Sequence, residues 1–181
     1  NDDGVPFWSE WRRLGGLPAL GYPISRRFMW HGFTVQAFQK GVLQWRPEVK
    51  QAWLVNVFDL LRENGKDEWL LNFRSTPPPL PAEFDAGKPW ATVLRDRQAL
   101  LDANPAIKKR YFASPDPLTF YGLPASRVVD NGNHFAIRLQ RAVIQQWKVD
   151  VPWAKAGQVT VANGGDIAKE AGLLPTDALT T

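Results

Sequence analysis

The feature that most constrains this 181-residue chain is an internal repeat: shifted by 101 positions, Gly21–Gln44 aligns without gaps on Gly122–Gln145. The turn Gly21-Tyr22-Pro23-Ile24-Ser25-Arg26 meets Gly122-Leu123-Pro124-Ala125-Ser126-Arg127, and Gln39-Lys40-Gly41-Val42-Leu43-Gln44 meets Gln140-Arg141-Ala142-Val143-Ile144-Gln145. Ordinary residue frequencies give about one or two identities in such a window. Here identical Gly, Pro, Ser, Arg, Gln, Val and Gln gather at two turns. Two diverged copies of one turn-plus-hairpin unit are therefore expected, at about residues 14–46 and 115–148.

Gly-x-Pro-x-Ser supplies a permissive residue, a fixed φ and a hydroxyl for nearby backbone, which together define a turn. Thr34–Phe38 reads as a strand, Gln39-Lys40-Gly41 as a hairpin connection with Gly41 at positive φ, and Val42–Trp45 as the returning strand, ended by Arg46-Pro47. Phe135–Leu139 and Ala142–Trp147 take these places in the second copy, although Phe135–Trp147 also fits a helical period. Ala142 in place of glycine predicts a different turn there.

The insert 49–106 carries a helical stripe over Val49–Asn64, with a strand reading open for Trp53–Phe58. Ser75–Pro81 is a stiff proline-rich connector, and Pro89–Asn104 an amphipathic helix stopped before Pro105. A C-terminal strand-helix, 157–175, comprises Gln158–Ala162 and Asp166–Ala171, with Asp166 as N-cap and Gly172 beyond the end; a frayed tail to Thr181 follows. The chain is expected to be one α+β domain, residues 1–181: two related turn-plus-β-hairpin units around one core, with intervening amphipathic helices and a Pro-rich connector.

Charge narrows the function classes. The net charge is +4, and the densest basic cluster is only Lys108-Lys109-Arg110, so a nucleic-acid partner is not expected. The absence of cysteine removes disulfides, thiolate metal sites and a Cys nucleophile. No apolar run approaches the roughly 20 residues of a membrane span. Because the chain begins at Asn1, a removed signal peptide is compatible with it.

Leu14-Gly15-Gly16-Leu17, Leu20-Gly21-Tyr22-Pro23-Ile24-Ser25 and Phe38-Gln39-Lys40-Gly41-Val42-Leu43-Gln44-Trp45 together resemble the LGFP-type repeat of bacterial cell-surface proteins. The second copy departs from that pattern at Leu123, at Ala142 and by a residue inserted before Trp147. Phe7-Trp8-Ser9-Glu10-Trp11 also looks like modules of secreted bacterial proteins. The resemblance implies a secreted or cell-surface location and attachment to cell-wall glycan. It transfers no defined binding residues, and the long insert departs from the family's consecutive arrays.

His31 and His134 do not align at the 101 offset, and no close His pair or HExxH exists, so neither a metal nor a cofactor is expected. Ser25 and Ser126 recur in turns and read as structural hydroxyls rather than nucleophiles. Glu48, Asp59, Glu63 and Asp67 could supply paired carboxylates for glycoside hydrolysis, but read as the solvated face of a helix. Asn163-Gly164-Gly165-Asp166 reads as helix entry rather than an anion cradle. Aromatics are the better candidates, since pyranose C–H faces pack on indole and phenol rings. Trp45 and Trp147 read as packing residues. Trp30 sits in the apparent loop Arg26–Gly32 with Arg27 and His31, and Asn131 stands opposite it in the other copy. The candidate ligand-binding set is Trp30, Tyr22, His31, Arg27, Asn131 and His134. The expectation is a non-catalytic surface module binding cell-wall or extracellular polysaccharide. Its rivals are an assembly protein that contacts further subunits, including copies of itself, through aromatic surfaces, and a cell-wall hydrolase using acidic residues.

Overall fold

The computed structural model describes residues 4–179. It is α+β, with two four-stranded antiparallel sheets, each a simple meander. The first holds β1 (Phe28–Trp30), β2 (Phe33–Phe38), β3 (Gly41–Arg46) and β4 (Gln51–Leu54); the second holds β5 (Val129–Asp130), β6 (His134–Arg138), β7 (Val143–Trp147) and β8 (Val159–Val161).

The 101-residue offset holds pair by pair. Phe28 faces Val35 as Val129 faces Ala136, and Val35 faces Gln44 as Ala136 faces Gln145. Side-chain chemistry repeats with the register. Ser25 Oγ accepts the Ala37 N–H at 2.8 Å, and Ser126 Oγ accepts the Arg138 N–H at 2.8 Å. Gln39 Oε1 accepts from the Tyr22 N–H, as Gln140 Oε1 does from Leu123. Gly21 and Gly122 share φ near +72°, and a Cβ on either would strike that same glutamine.

Both β2–β3 and β6–β7 turn through two residues, Gln39-Lys40 and Gln140-Arg141, and none of these has positive φ. Gly41 is thus not the turn glycine expected from sequence: a Cβ there would lie 2.6 Å from Leu54 Cδ2, so the Leu54 side chain would have to shift. Ala142 accordingly does not change the turn, and 135–147 is a hairpin, not a helix.

Each copy is larger than its gapless match. A helix precedes each turn, α2 (Gly16–Leu20) and α7 (Pro117–Tyr121), preceded in turn by α1 (Phe7–Arg13) and α6 (Pro105–Phe112). Trp11 Nε1 donates to the Gly21 carbonyl at 3.0 Å, and the Tyr111 hydroxyl donates to Gly122 at 2.9 Å. After the third strand the β7–β8 connection is longer, and the correspondence resumes at an offset of 107: β4 then α3 (Val57–Glu63), β8 then α8 (Gly164–Glu170). Asn56, Asp59, Glu63 and Gly65 fall on Asn163, Asp166, Glu170 and Gly172, both glycines at positive φ.

The expected helix over Val49–Asn64 is therefore a strand and a short helix. In β4 the inward alternation of Ala52 and Leu54 is set by pairing with β3. After α4 (Asp67–Arg74), Ser75–Pro81 is neither helix nor strand and begins with Ser75 at φ 47°, and Trp90–Ala99 (α5) runs into a 3₁₀ turn before Asn104 caps α6 through the N–H groups of Ala106 and Ile107. Asp166 lies inside α8 rather than at its N-cap, which is Asn163. The tail expected to fray is tied down as far as Leu179, which bridges to Ser25; Thr180 and Thr181 lie outside the described residues.

The chain divides into two compact units. Unit 1 contains the first sheet with residues from Asn163 onward; unit 2 runs from Phe58 to Ala162. The helix after β8 thus completes the unit of the first copy: the Gly165 and Asp166 N–H groups donate to the Gln39 carbonyl. The helix after β4 completes unit 2, where the Phe58 N–H donates to the Gln140 carbonyl. Unit 1 buries Phe7, Leu20, Val35, Val42 and Leu43; in unit 2 Leu101, Ile107, Tyr111, Ile137 and Ile144 form one apolar cluster.

Candidate functional site

Unit 1 carries a cleft of about 470 Å³ between α1, the Gly-Pro turn and β2, lined by Phe7, Trp8, Trp11, Tyr22, Arg27 and Gln36 among others. Its aromatic wall follows from helical spacing. Trp8 and Trp11 are three residues apart on α1, so their rings share a face and stack, 5.0 Å between centroids and 16° between planes. Phe7, on the inner side, is buried and anchors the helix. Trp11 is held by the hydrogen bond its Nε1 donates to the Gly21 carbonyl.

Behind α1, Glu10 is buried against β4, its Oε2 accepting the Ala52 N–H at 2.6 Å and the Arg13 guanidinium at 2.7 Å. Burial pushes its carboxyl up, but these bonds and the Arg13 charge outweigh it and leave Glu10 below the usual carboxylate range. The helix bearing the tryptophans is thus fixed before any ligand arrives.

The polar edge is held with equal definition. Arg27 lies over the Phe7 ring at 5.4 Å and donates to the Val5 carbonyl at 2.7 Å. Gln36 donates to the Ser25 carbonyl. Trp8 is 57% exposed and Tyr22 63% exposed. A rigid apolar platform flanked by a guanidinium and an amide suits a flat, hydroxylated ligand.

Comparison of the copies isolates what is particular to this cleft. Tyr22, Arg27 and Gln36 correspond to Leu123, Val128 and Ile137; Leu123 and Ile137 are buried. Trp11 has a structural counterpart in Tyr111, whereas the position of Trp8 is Lys108 on α6.

Of the residues singled out from sequence, Tyr22 and Arg27 meet in this cleft and the other four do not. Trp30 is not in a loop: it ends β1, half-buried, paired with Phe33. His31 and Gly32 form the two-residue turn, with φ of 49° and 81°, as a type I′ hairpin demands. Asn131 and His134 lie in unit 2. His134 is 5% exposed and packs on Trp147 at 4.6 Å, and burial lowers its pKa. Asn131 Nδ2 donates to the Ser75 carbonyl.

The acidic candidates are dispersed rather than spread on one solvated face. Glu48 pairs with Arg46 and Asp67 with Arg138, while Asp59 and Glu63 line a polar cleft of unit 2. Among the described residues no three His, Cys, Asp or Glu side chains come together as a metal site, and no helix is long and apolar enough to cross a membrane. Trp8, Trp11 and Gln36 were not among the sequence candidates. The helical spacing Trp8-x-x-Trp11 shortly before a Gly-Pro turn is the signal that could have found the two tryptophans.

No protein-family model matches this chain, and no curated protein matches it.

Proposed function

We propose that this chain is a non-catalytic surface module that binds polysaccharide through the aromatic cleft of unit 1. The observation that carries the reading is the stacked Trp8–Trp11 pair, Trp8 exposed and Trp11 half-buried, with Tyr22 beside it, edged by Arg27 and Gln36. Sugar C–H faces gain dispersion and desolvation against indole, and edge donors and acceptors take the hydroxyls. A packing role alone does not require Trp8 or Tyr22, because the second copy builds the same turn with Lys108 and Leu123. The likeness of Leu14–Trp45 to surface repeats points the same way, and makes a secreted or surface location part of the proposal.

The test is a glycan array, with pull-down on purified cell-wall polysaccharide, for wild type, Trp8→Ala, Tyr22→Ala and Trp153→Ala. Trp153 is as exposed as Tyr22 but belongs to unit 2 and does not line this cleft. Binding weakened about tenfold by the first two variants and unchanged by the third is expected; tenfold is about 1.4 kcal/mol, the scale of one aromatic contact. No glycan retained by wild type, or equal losses at all three positions, would overturn the reading. Concentration-dependent oligomers without glycan binding would favour an assembly role instead.

A further inference from the structure

The polar cleft of unit 2, also about 470 Å³, is lined by Asp59, Arg62, Glu63, Arg97, Arg138 and Gln140 among others. Its most telling member is Arg138, 1% exposed. The same scaffold position in the first copy is Ala37, fully buried, with its N–H on the same serine hydroxyl. The fold therefore does not need a guanidinium there, and burying one is costly unless it is well paired.

Arg138 is only partly paired. Nη1 donates to Asp67 at 2.8 Å and Nη2 to the Phe58 carbonyl at 2.6 Å, but the buried Nε has no partner. Arg97, half-buried, is held by Asp85 and the Pro124 carbonyl. Arg62, at the exposed rim, makes one hydrogen bond, to the Leu80 carbonyl at 3.3 Å. Against these three cations stand Asp59, whose Oδ2 accepts from Gln140 Nε2 at 3.0 Å, and Glu63 one helical turn along α3. Burial raises the Asp59 pKa, with Glu63 adding to the shift and Gln140, Arg138 and Arg97 opposing it. The raised pKa leaves the carboxyl readier to carry a proton and to donate than an ordinary aspartate.

We propose that this cleft is a second binding site, independent of the aromatic one, and that it takes a small carboxylate-bearing ligand. A planar monoanion matches the fork of a guanidinium: Arg62, exposed at the rim, has donors left to meet it, and the buried Arg138 in the same wall adds its charge. A phosphate dianion fits less well, because Glu63 shares the wall. A sugar acid and a peptide C-terminus present the same carboxylate, and they form separate arms of the test.

The experiment is NMR titration of the full chain with glucuronate, glucose, N-acetyl-alanyl-alanine and inorganic phosphate, observing the Arg138 Nε–H and the Gln140 side-chain amide. At least one carboxylate ligand should shift both resonances, while glucose shifts neither and phosphate binds more weakly. Arg62→Ala should weaken that binding about tenfold with the fold intact, and Arg138→Ala, which installs the residue the first copy carries, should abolish it. If Arg138→Ala unfolds unit 2, the exposed Arg62→Ala variant still decides. No shift with either carboxylate, equal binding of glucose and glucuronate, or wild-type affinity in Arg62→Ala would overturn the proposal. Failure here leaves the aromatic-cleft reading untouched, since that is read by Trp8 and Tyr22.

Discussion

Ser25→Ala removes the acceptor of the Ala37 N–H, at a place where Ser25 is 2% and Ala37 0% exposed, so water does not reach the orphaned donor. An unsatisfied buried backbone N–H costs about 1–3 kcal/mol. In a chain of this length each kcal/mol lowers Tm by roughly 2–4 °C, so a fall of about 2–12 °C is expected. The repeat supplies an internal replicate. Ser126→Ala orphans the Arg138 N–H in the same geometry and should cost as much, plus whatever the second bond of that hydroxyl, to the Arg127 carbonyl, contributes. Urea denaturation followed by tryptophan fluorescence reads both, with the m-value checking that unfolding remains the same transition. If Ser25→Ala loses less than about 0.5 kcal/mol, below the range of an orphaned donor, the hydroxyl is not what fixes the turn.

Gly165→Ala should cost about 3 kcal/mol or more, because its Cβ would sit 1.7 Å from the Phe38 carbonyl oxygen, a backbone atom held in β2. Gly172→Ala, with open space but φ of +75°, should cost only about 1 kcal/mol in the same denaturation assay. Glu10→Gln should destabilise by about 1–2 kcal/mol at neutral pH. Since the folded pKa of Glu10 lies below 4.5, wild type holds this stability above that value and loses it as pH falls through the folded pKa. Denaturation curves for the two proteins should therefore converge on acidification, and a constant gap would refute the assignment.

The turns were legible because their chemistry is local. Gly21, Ser25 and Gln39 each meet a demand set within one hairpin, so the same residue types recur at Gly122, Ser126 and Gln140. The α3 and α8 correspondence was hidden by the longer β7–β8 connection, which shifts the offset from 101 to 107. Trp30 read as loop because a two-residue hairpin turn leaves almost no polar stretch in the sequence, and His31 gives little hint of positive φ. Val49–Asn64 fits a helical period, yet pairing with β3 overrides that preference in its first half. Glu10, Asn104 and Arg138 were invisible for a different reason. Their partners, Ala52, Gln146 and Phe58, lie far along the chain, and only the folded arrangement brings them within hydrogen-bond reach.

The exchange of helices between copies gives the molecule an order of completion that differs from its order of synthesis. The strands of unit 1 leave the ribosome before unit 2 does, but α8, whose N–H groups close on Gln39, leaves after it. At about 5–20 residues per second, the 126 residues from Gln39 to Gly165 keep the Gln39 carbonyl waiting for roughly 6–25 s. Unit 2 is continuous in sequence and has all its parts on hand before unit 1 does. A chain truncated after Ala162 and released from the ribosome should accordingly show a protease-resistant unit 2 and a unit 1 still open to cleavage.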